Sequence, residues 1–559
     1  MVLLQSLSRS DILELIWETV PVGSPDPTDS RVLGRLKELT DELITRTGRG
    51  SLSIDPFSDV YKRQIAIDRT QIESLLKNKV ILVTGGQGFV GTNLIAKLQQ
   101  FGVKKIISVD ISSDRSQIVK IDRTATNYDI PVTYYCSDVR DTRISTAEHL
   151  PESRPVGATH YPSSQPLRVN TQVDLLRNIL AIEQPQIVFH LAAERLPGLA
   201  QIQIHQTVST NILGCDNIIQ LCEEYQVESC IFSSTGKASR YFAPDIYAAS
   251  KKISEWLFSD HSQPKTCQYG IVRFTHVVEN SPVSSDLDLR VANELVSLHA
   301  PDRYIYTQNI EESVNLLLNA LTIIEPGRTK LLAVRDIGWP INTLDLALSK
   351  ILGSGKDIPI YFKGLPAGYE SHVFLGQLDL SGDREILPML NVLEADWSEI
   401  SAAGDMVISE IIPFDPDILQ RSISNIKAAI VSTDATIEQT VIDSQKAIAL
   451  SSFIQANPLR LLDILRWGTN AEKTSAVGVD LSDDREIVTL LVKAVEMAGS
   501  PPHTTKIPPI RSQHSIATTI QPSEDRRSGE PLQSRKKYRS LKNRLKGKKD
   551  LDPVTGDLS

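Results

Sequence analysis

Two groups of residues in the 559-residue chain have types and spacings suited to chemistry. The first is Val83-Thr84-Gly85-Gly86-Gln87-Gly88-Phe89-Val90-Gly91, set between a strand-like apolar run and a helical stretch, with Asp110 closing the next strand-like run 19 residues after Gly91. Gly85, Gly88 and Gly91 would let the backbone turn and approach a pyrophosphate. The helix N-terminus offers free N–H groups to its charge, and Asp110 can accept from ribose hydroxyls. The spacing predicts a dinucleotide site. The second group is Ser233-Ser234-Thr235, then Tyr247-Ala248-Ala249-Ser250-Lys251. Four residues apart on a helix, Tyr247 and Lys251 share a face. A protonated lysine there would lower the tyrosine pKa, so that the phenol could exchange a proton with a sugar hydroxyl while the dinucleotide takes the hydride.

A carboxylate at Asp110 would repel a 2′-phosphate, which favours NAD; Arg115, close in sequence, keeps NADP open. Asp138-Val139 follows a third strand-like run. Two readings of Asp138 stand, an acceptor for the adenine amino group and a helix N-cap.

These residues need a scaffold of alternating strands and helices. Apolar runs at Val80–Val83, Lys105–Val109, Val132–Cys136, Gln186–His190, Ser229–Phe232 and Gln268–Arg273 alternate with helical stretches such as Phe89–Gln100, Val208–Tyr225 and Tyr247–Phe258. Near-continuously apolar strands in this alternation argue for a parallel sheet covered on both faces, an α/β doubly wound Rossmann fold. The expected organisation is a helical N-terminal extension (residues 1–75, helices near Asp11–Trp17 and Asp29–Ile44) and a dinucleotide-binding domain (76–300) with an inserted loop at 142–172. A small α/β substrate-binding portion (301–380), a helical C-terminal region (381–499) and a disordered basic tail (500–559) complete it.

Composition narrows the function classes. The chain is 41% hydrophobic and 23% charged, which excludes wholesale disorder. No run approaches the ~18 apolar residues of a spanning helix, and the N-terminus lacks signal-peptide order, so a cytoplasmic chain is expected. The net charge of −9 is uneven: residues 501–559 hold 13 Lys+Arg against 6 Asp+Glu, or +7, which leaves −16 on the rest. An acidic body argues against nucleic-acid binding as the main role. Within the tail, residues 535–549 carry nine Lys/Arg and no acid. That run reads either as a contact for an anionic surface or partner, or as a solvated end. The five cysteines, Cys136, Cys215, Cys222, Cys230 and Cys267, show no C-x-x-C spacing and read as buried free thiols. His190 reads as a packed core residue, and His205 and His299 lack metal-ligand spacing, so no metal is expected.

The chain resembles the extended short-chain dehydrogenase/reductases, in particular the polysaccharide-biosynthesis (CapD-type) nucleotide-sugar dehydratases and epimerases. The resemblance runs from about Asp59 to Leu375. Its landmarks are Tyr61-Lys62-Arg63-Gln64, the glycine motif, Asp138-Val139-Arg140-Asp141, Phe189-His190-Leu191-Ala192-Ala193 and Thr210-Asn211-Ile212-Leu213-Gly214-Cys215-Asp216-Asn217. Ser234-Thr235-Gly236-Lys237-Ala238, the Tyr247/Lys251 pair, Val272-Arg273-Phe274, Arg303-Tyr304 and Gly364-Leu365 follow. It implies NAD-dependent oxidation of a nucleoside-diphosphate sugar at C4, chemistry on the 4-keto sugar and return of the hydride. Thr235 would orient the hydroxyl, Tyr247 exchange its proton, and Lys251 lower the tyrosine pKa and hold the ribose. Gly85, Gly88, Phe89, Val90, Gly91, Asp110, Asp138, Val139, Ala192 and Asn211 would bind the cofactor alongside Lys251. Glu194, Arg195, Lys237, His276 and Arg303 fall at substrate-facing positions. By the same resemblance, the helices at Val208–Tyr225 and Tyr247–Phe258 could pair two subunits.

The departures from the pattern fall where substrate should bind. The family's Ser-Thr-Asp-Lys reads Ser234-Thr235-Gly236-Lys237, so the acid expected to protonate a departing C6 hydroxyl is missing. Arg195-Leu196 replaces Lys-His, Thr275-His276 replaces Gly-Asn, and Pro366-Ala367-Gly368-Tyr369 replaces Arg-Pro-Gly-Glu. Glu194 reads either as the acid or base that Gly236 cannot supply, or as a carboxylate paired with Arg195 or solvent. His276 reads as a substrate contact or a loop histidine without a role. A second class of function is open: a catalytically degenerate dinucleotide-binding scaffold or sensor in a polysaccharide assembly.

Overall fold

In the computed structural model the described residues are 7–112, 130–140, 175–366, 374–381, 384–432, 436–470 and 484–498. The loop expected at 142–172, the basic tail, Arg115, Asp141 and residues 367–369 lie outside them.

Strand β1 (Val80–Thr84) is buried at every position, as a run of β-branched and apolar residues between two helical layers must be. It pairs in parallel with β2 (Lys105–Asp110) on one side and β4 (Ile187–His190) on the other. Beyond β2 lies β3 (Val132–Cys136), and beyond β4 lie β5 (Ser229–Thr235) and β6 (Gln268–Phe274), all parallel. The order β3-β2-β1-β4-β5-β6 reverses direction between β1 and β4. A doubly wound sheet opens a crevice at the strands' carboxyl ends at that reversal. The α/β Rossmann architecture expected from the sequence is the one observed.

Three further strands extend the sheet. Lys330–Val334 is parallel to β6, Met406–Glu410 is antiparallel to Lys330–Val334, and Glu399–Ile400 is antiparallel to Met406–Glu410. The region after 381 therefore adds strands as well as helices. The cut expected near residue 300 is not clean either: Leu316, Leu317 and Leu318 of helix Ile310–Ile323 pack into the main core with Leu331 and Leu332.

A second core joins the N-terminal helices to the substrate portion. Ile12 and Ile16 of helix Arg9–Thr19 and Leu36, Leu39 and Leu43 of helix Ser30–Thr47 share it with Leu344, Leu348, Ile360 and Phe362. Polar ties accompany the burial. Ile360 N donates to Thr40 Oγ1 (3.0 Å), and Tyr361 Oη donates to Asp26 Oδ1 (2.7 Å). The extension is thus a wall of the substrate portion rather than a loose cap.

Helix Ile246–Asp260 carries the Tyr247/Lys251 pair. Asp245 caps it by accepting from Ala248 N (2.9 Å), and twelve residues, from Ile246 to Phe258 with Tyr247 excepted, are buried against the sheet and the C-terminal helices. Two of these C-terminal helices, Pro416–Ser432 and Ile437–Gln455, pack against each other. Such complete burial is why Lys251, Lys252 and Glu255 each need an internal partner.

Candidate active site

One cleft of about 1040 Å³ opens at the reversal point. Its floor at one end is the glycine turn. Gly85 has φ +66°, and a Cβ there would stand 2.8 Å from Ala192 N. A Cβ on Gly91 would stand 2.3 Å from Gly85 O, so the turn closes only on glycine at both places. Gly88 is the N-cap of helix Phe89–Leu98, and no side chain caps that helix. The amides of its first turn therefore face the cleft as anion donors, with Phe89 and Val90 on its wall. Asp110 ends β2 and accepts from Gln87 N and Ser112 N, both at 3.1 Å, which fixes the carboxylate beside the turn with lone pairs to spare. A glycine turn that a Cβ would fill, an uncapped helix start and a fixed carboxylate together fit a dinucleotide.

Beside it, Asp138 lines the same cleft. Its carboxylate is gripped by Arg140, whose Nε lies 2.9 Å from both oxygens and whose backbone N lies 2.9 Å from Oδ1, and it caps no described helix. Val139 packs on Gly214, where a Cβ would meet Val139 Cγ2 at 2.9 Å, and its carbonyl accepts from Asn217 Nδ2 (2.8 Å).

At the middle of the cleft β5 ends at Thr235, whose side chain lies beside the Tyr247 phenol and accepts from Lys237 N (3.4 Å). Burial pushes the Tyr247 pKa up to about 12, against the lowering effects of the Thr235 hydroxyl and the Arg195 charge. Lys251 is buried beneath. Its Nζ donates to Ser233 O (3.0 Å) and sits 4.6 Å above the Phe232 ring, and burial brings its pKa down to about 8. Without a bound dinucleotide the ammonium donates to a main-chain carbonyl, and burial of the phenol outweighs the groups that lower its pKa. Under Lys251, His190 is held by Thr84 Oγ1 (2.7 Å) and Cys215 Sγ (3.3 Å) and stacks on Phe232. Burial, helped by the Lys251 charge, pushes its pKa down to about 3, so it is the neutral core residue expected.

The loop after β4 supplies Ala192, Glu194 and Arg195 to the wall. Glu194 is half-buried, and its Oε1 accepts from Leu196 N (3.2 Å). Asn211 is corrected: it is fully buried and does not reach the cleft. It sits in a π-helical turn, Ser209–Leu213, that aims its amide back at the loop. Its Oδ1 accepts from Glu194 N (2.9 Å), and its Nδ2 donates to Glu194 O (3.1 Å) and Ser250 Oγ (2.9 Å). Lys237, His276 and Arg303 line the cleft as expected. His276 bonds Ser281 Oγ, and burial, with the Arg195 charge, holds its pKa down at about 4.

Several lining residues carried no signal in the sequence. Arg290, His299 and Lys363 join Arg303 in the lining, and each of the three cations is paired with a carboxylate: Arg290 with Asp286 (2.6 Å), Arg303 with Asp302 (3.5 Å) and Lys363 with Asp26 (2.8 Å). They come from separate elements and form no motif. Pro388, Met389 and Leu390, from the segment after the expected substrate portion, close the side next to Gly236.

Residues 168–376 match a family described as polysaccharide biosynthesis protein. Among curated relatives, the capsular polysaccharide biosynthesis protein CapD of Staphylococcus aureus is 26% identical over 310 residues, covering 54% of this chain and 46% of that protein. A UDP-N-acetylglucosamine 4,6-dehydratase (inverting) of Campylobacter jejuni is 26% identical over 209 residues, covering 36% of this chain and 51% of that enzyme. A solved Thermus thermophilus UDP-glucose 4-epimerase in complex with NAD aligns with a TM-score of 0.39 at 18% identity, over 52% of this chain and 88% of that one. The chain spans about half the length of the curated relatives it matches. The polysaccharide-biosynthesis match ends at 376, so Met389 and its neighbours lie outside it. Among the described residues no helix is long and apolar enough to cross a membrane.

Proposed function

We propose that the chain is an NAD-dependent enzyme that remodels a nucleoside-diphosphate sugar through a 4-keto intermediate, in polysaccharide biosynthesis. The observation that carries this reading is that Thr235, Tyr247 and buried Lys251 line the same cleft as a glycine turn suited to pyrophosphate. Asp110 beside the turn favours NAD over NADP.

Bound on the glycine turn, a nicotinamide dinucleotide would accept a hydride from the sugar carbon and return it. The chain's own residues do the rest. Thr235 Oγ1 and Tyr247 Oη hold the hydroxyl of that carbon, and Tyr247 moves its proton. Lys251 keeps positive charge beneath the pair, and Arg290, Arg303 and Lys363 would meet the diphosphate of the substrate. With glycine at 236, the position after Thr235 carries no acid to protonate a departing hydroxyl, and Glu194 Oε1 on the cleft wall accepts from Leu196 N. That favours epimerisation over loss of water.

Incubation with NAD and a panel of UDP- and dTDP-hexoses tests the reading. A 4-keto sugar, inverted ring stereochemistry or solvent deuterium at C5, lost in Tyr247→Phe, is expected. A 6-deoxy-4-keto product would select dehydration instead. The second reading, a dinucleotide-binding scaffold or sensor, is favoured by the undepressed Tyr247 phenol. Tight NAD binding with no turnover across the panel would select it.

A further inference from the structure

The absent acid at 236 leaves a question about what fills its place. A Cβ on Gly236 would stand 2.7 Å from Met389 Sδ and 3.0 Å from Met389 Cε. The thioether therefore already occupies the space into which a side chain at 236 would project. Met389 is 3% exposed, and its position is set by its backbone: Met389 O accepts from Arg273 Nη1 (2.9 Å). Arg273 is itself fully buried and bonded to Glu255 (2.7 Å) and Glu394 (2.6 Å), and Glu255 also accepts from Ser234 Oγ (2.7 Å). The segment carrying Met389 is thus clamped to the strand residue preceding Thr235.

Position 236 directly follows Thr235, and Met389 and Leu390 line the cleft beside it; a sugar held by Thr235 and Tyr247 would set a substituent of the neighbouring ring carbon against this wall. A thioether offers no hydrogen-bond donor and only a weak acceptor, and neighbouring Leu390 offers neither. A hydroxymethyl group seated there would exchange its water partners for none, whereas a methyl group would lose nothing. We propose that Met389 is a specificity-determining residue that selects nucleoside-diphosphate 6-deoxy sugars, with a methyl group at C5, over their hydroxymethyl counterparts. This rests on the reading of the cleft as a nucleotide-sugar site, and it adds the substrate class.

The test is calorimetric titration of the full chain, with NAD present, by matched pairs of uridine, thymidine and guanosine diphosphate sugars that differ only in methyl against hydroxymethyl at C5. The 6-deoxy member of at least one pair should bind about tenfold more tightly, the scale on which an apolar pocket discriminates a hydroxyl. Met389→Gln should erase the preference, and Met389→Leu should keep it. Equal affinities in the unaltered protein, or a preference that Met389→Gln leaves intact, overturns the inference. Binding is read separately from turnover: a preserved preference without any hydride transfer would count against the enzymatic reading alone. No binding of either member of any pair would sink both.

Discussion

Lys251 directs its buried ammonium at the main-chain carbonyl of Ser233, 3.0 Å away, and not at the phenol of Tyr247 one turn earlier on the same helix. Burial lowers its pKa from 10.5 to about 8, against the raising influence of Cys215 and Glu255. The folded chain releases this proton at lower pH than the unfolded chain does. Stability is therefore reduced while Lys251 is charged and recovers as pH rises from about 8 towards the unfolded value. Relative to Lys251→Met, the unaltered protein should gain about 2 kcal/mol of unfolding free energy between pH 7 and 10, measured by urea denaturation. A flat difference across that range would show that the lysine is not desolvated as described.

The clamp behind Met389 makes a second prediction. Arg273, Glu255, Glu394 and Lys252 form a buried network in which each charge has a partner of opposite sign within hydrogen-bond reach, Lys252 to Glu394 at 2.9 Å. Burial would raise the Glu394 pKa, yet the charges of Arg273 and Lys252 outweigh it and hold the group at about 2. Arg273→Met should destabilise the protein by about 3–5 kcal/mol at neutral pH, because two carboxylates lose their main partner. In the unaltered protein the contribution of Glu394 should be present above pH 4.5, its ordinary value, and fade as pH falls from there towards 2. Urea midpoints of both proteins from pH 3 to 7 check both statements.

Asn211 is a positioning residue for the cleft loop. Asn211→Ala would leave Glu194 N, Glu194 O and Ser250 Oγ without their amide partner. A cost of about 1–3 kcal/mol is expected, with weaker NAD binding because Ala192 on the same loop abuts Gly85. The conservative Asn211→Gln should not rescue it, since its longer amide cannot keep all three bonds. Chemical denaturation and calorimetry on the two variants give the comparison.

The sheet and the middle of the site were legible because their signals are local. β1, β2 and β4 are largely apolar runs, the glycine turn needs no distant partner to be recognised, and Tyr247 and Lys251 are related by helix geometry alone. What stayed hidden depends on long-range contact. Asn211 has the residue type of a ligand contact, but its partners lie 17 and 39 residues away, on the main chain and a serine. Met389 bears on the site only because Arg273, 116 residues earlier, holds its carbonyl. Strand Glu399–Ile400 is two exposed residues with no periodicity to detect. The sign of the Tyr247 shift was also out of reach, since spacing brings the lysine near without saying where its ammonium points.

Gly91→Ala tests the cofactor end independently of chemistry. Its methyl would lie 2.3 Å from Gly85 O and 2.8 Å from Gly86 Cα, so the turn must open. A loss of about 1–3 kcal/mol in stability is expected from this overpacking, together with weakening of NAD binding by about tenfold or more. A variant that binds NAD as the unaltered protein does would place the pyrophosphate elsewhere.

The most direct measurement is calorimetric titration of the purified chain with NAD and with NADP. The expected result is one NAD per chain, bound about tenfold or more tightly than NADP because Asp110 would face the ribose, with Asp110→Ser narrowing that gap. Absence of binding heat with either dinucleotide, from protein shown to be folded, would contradict the account at its centre.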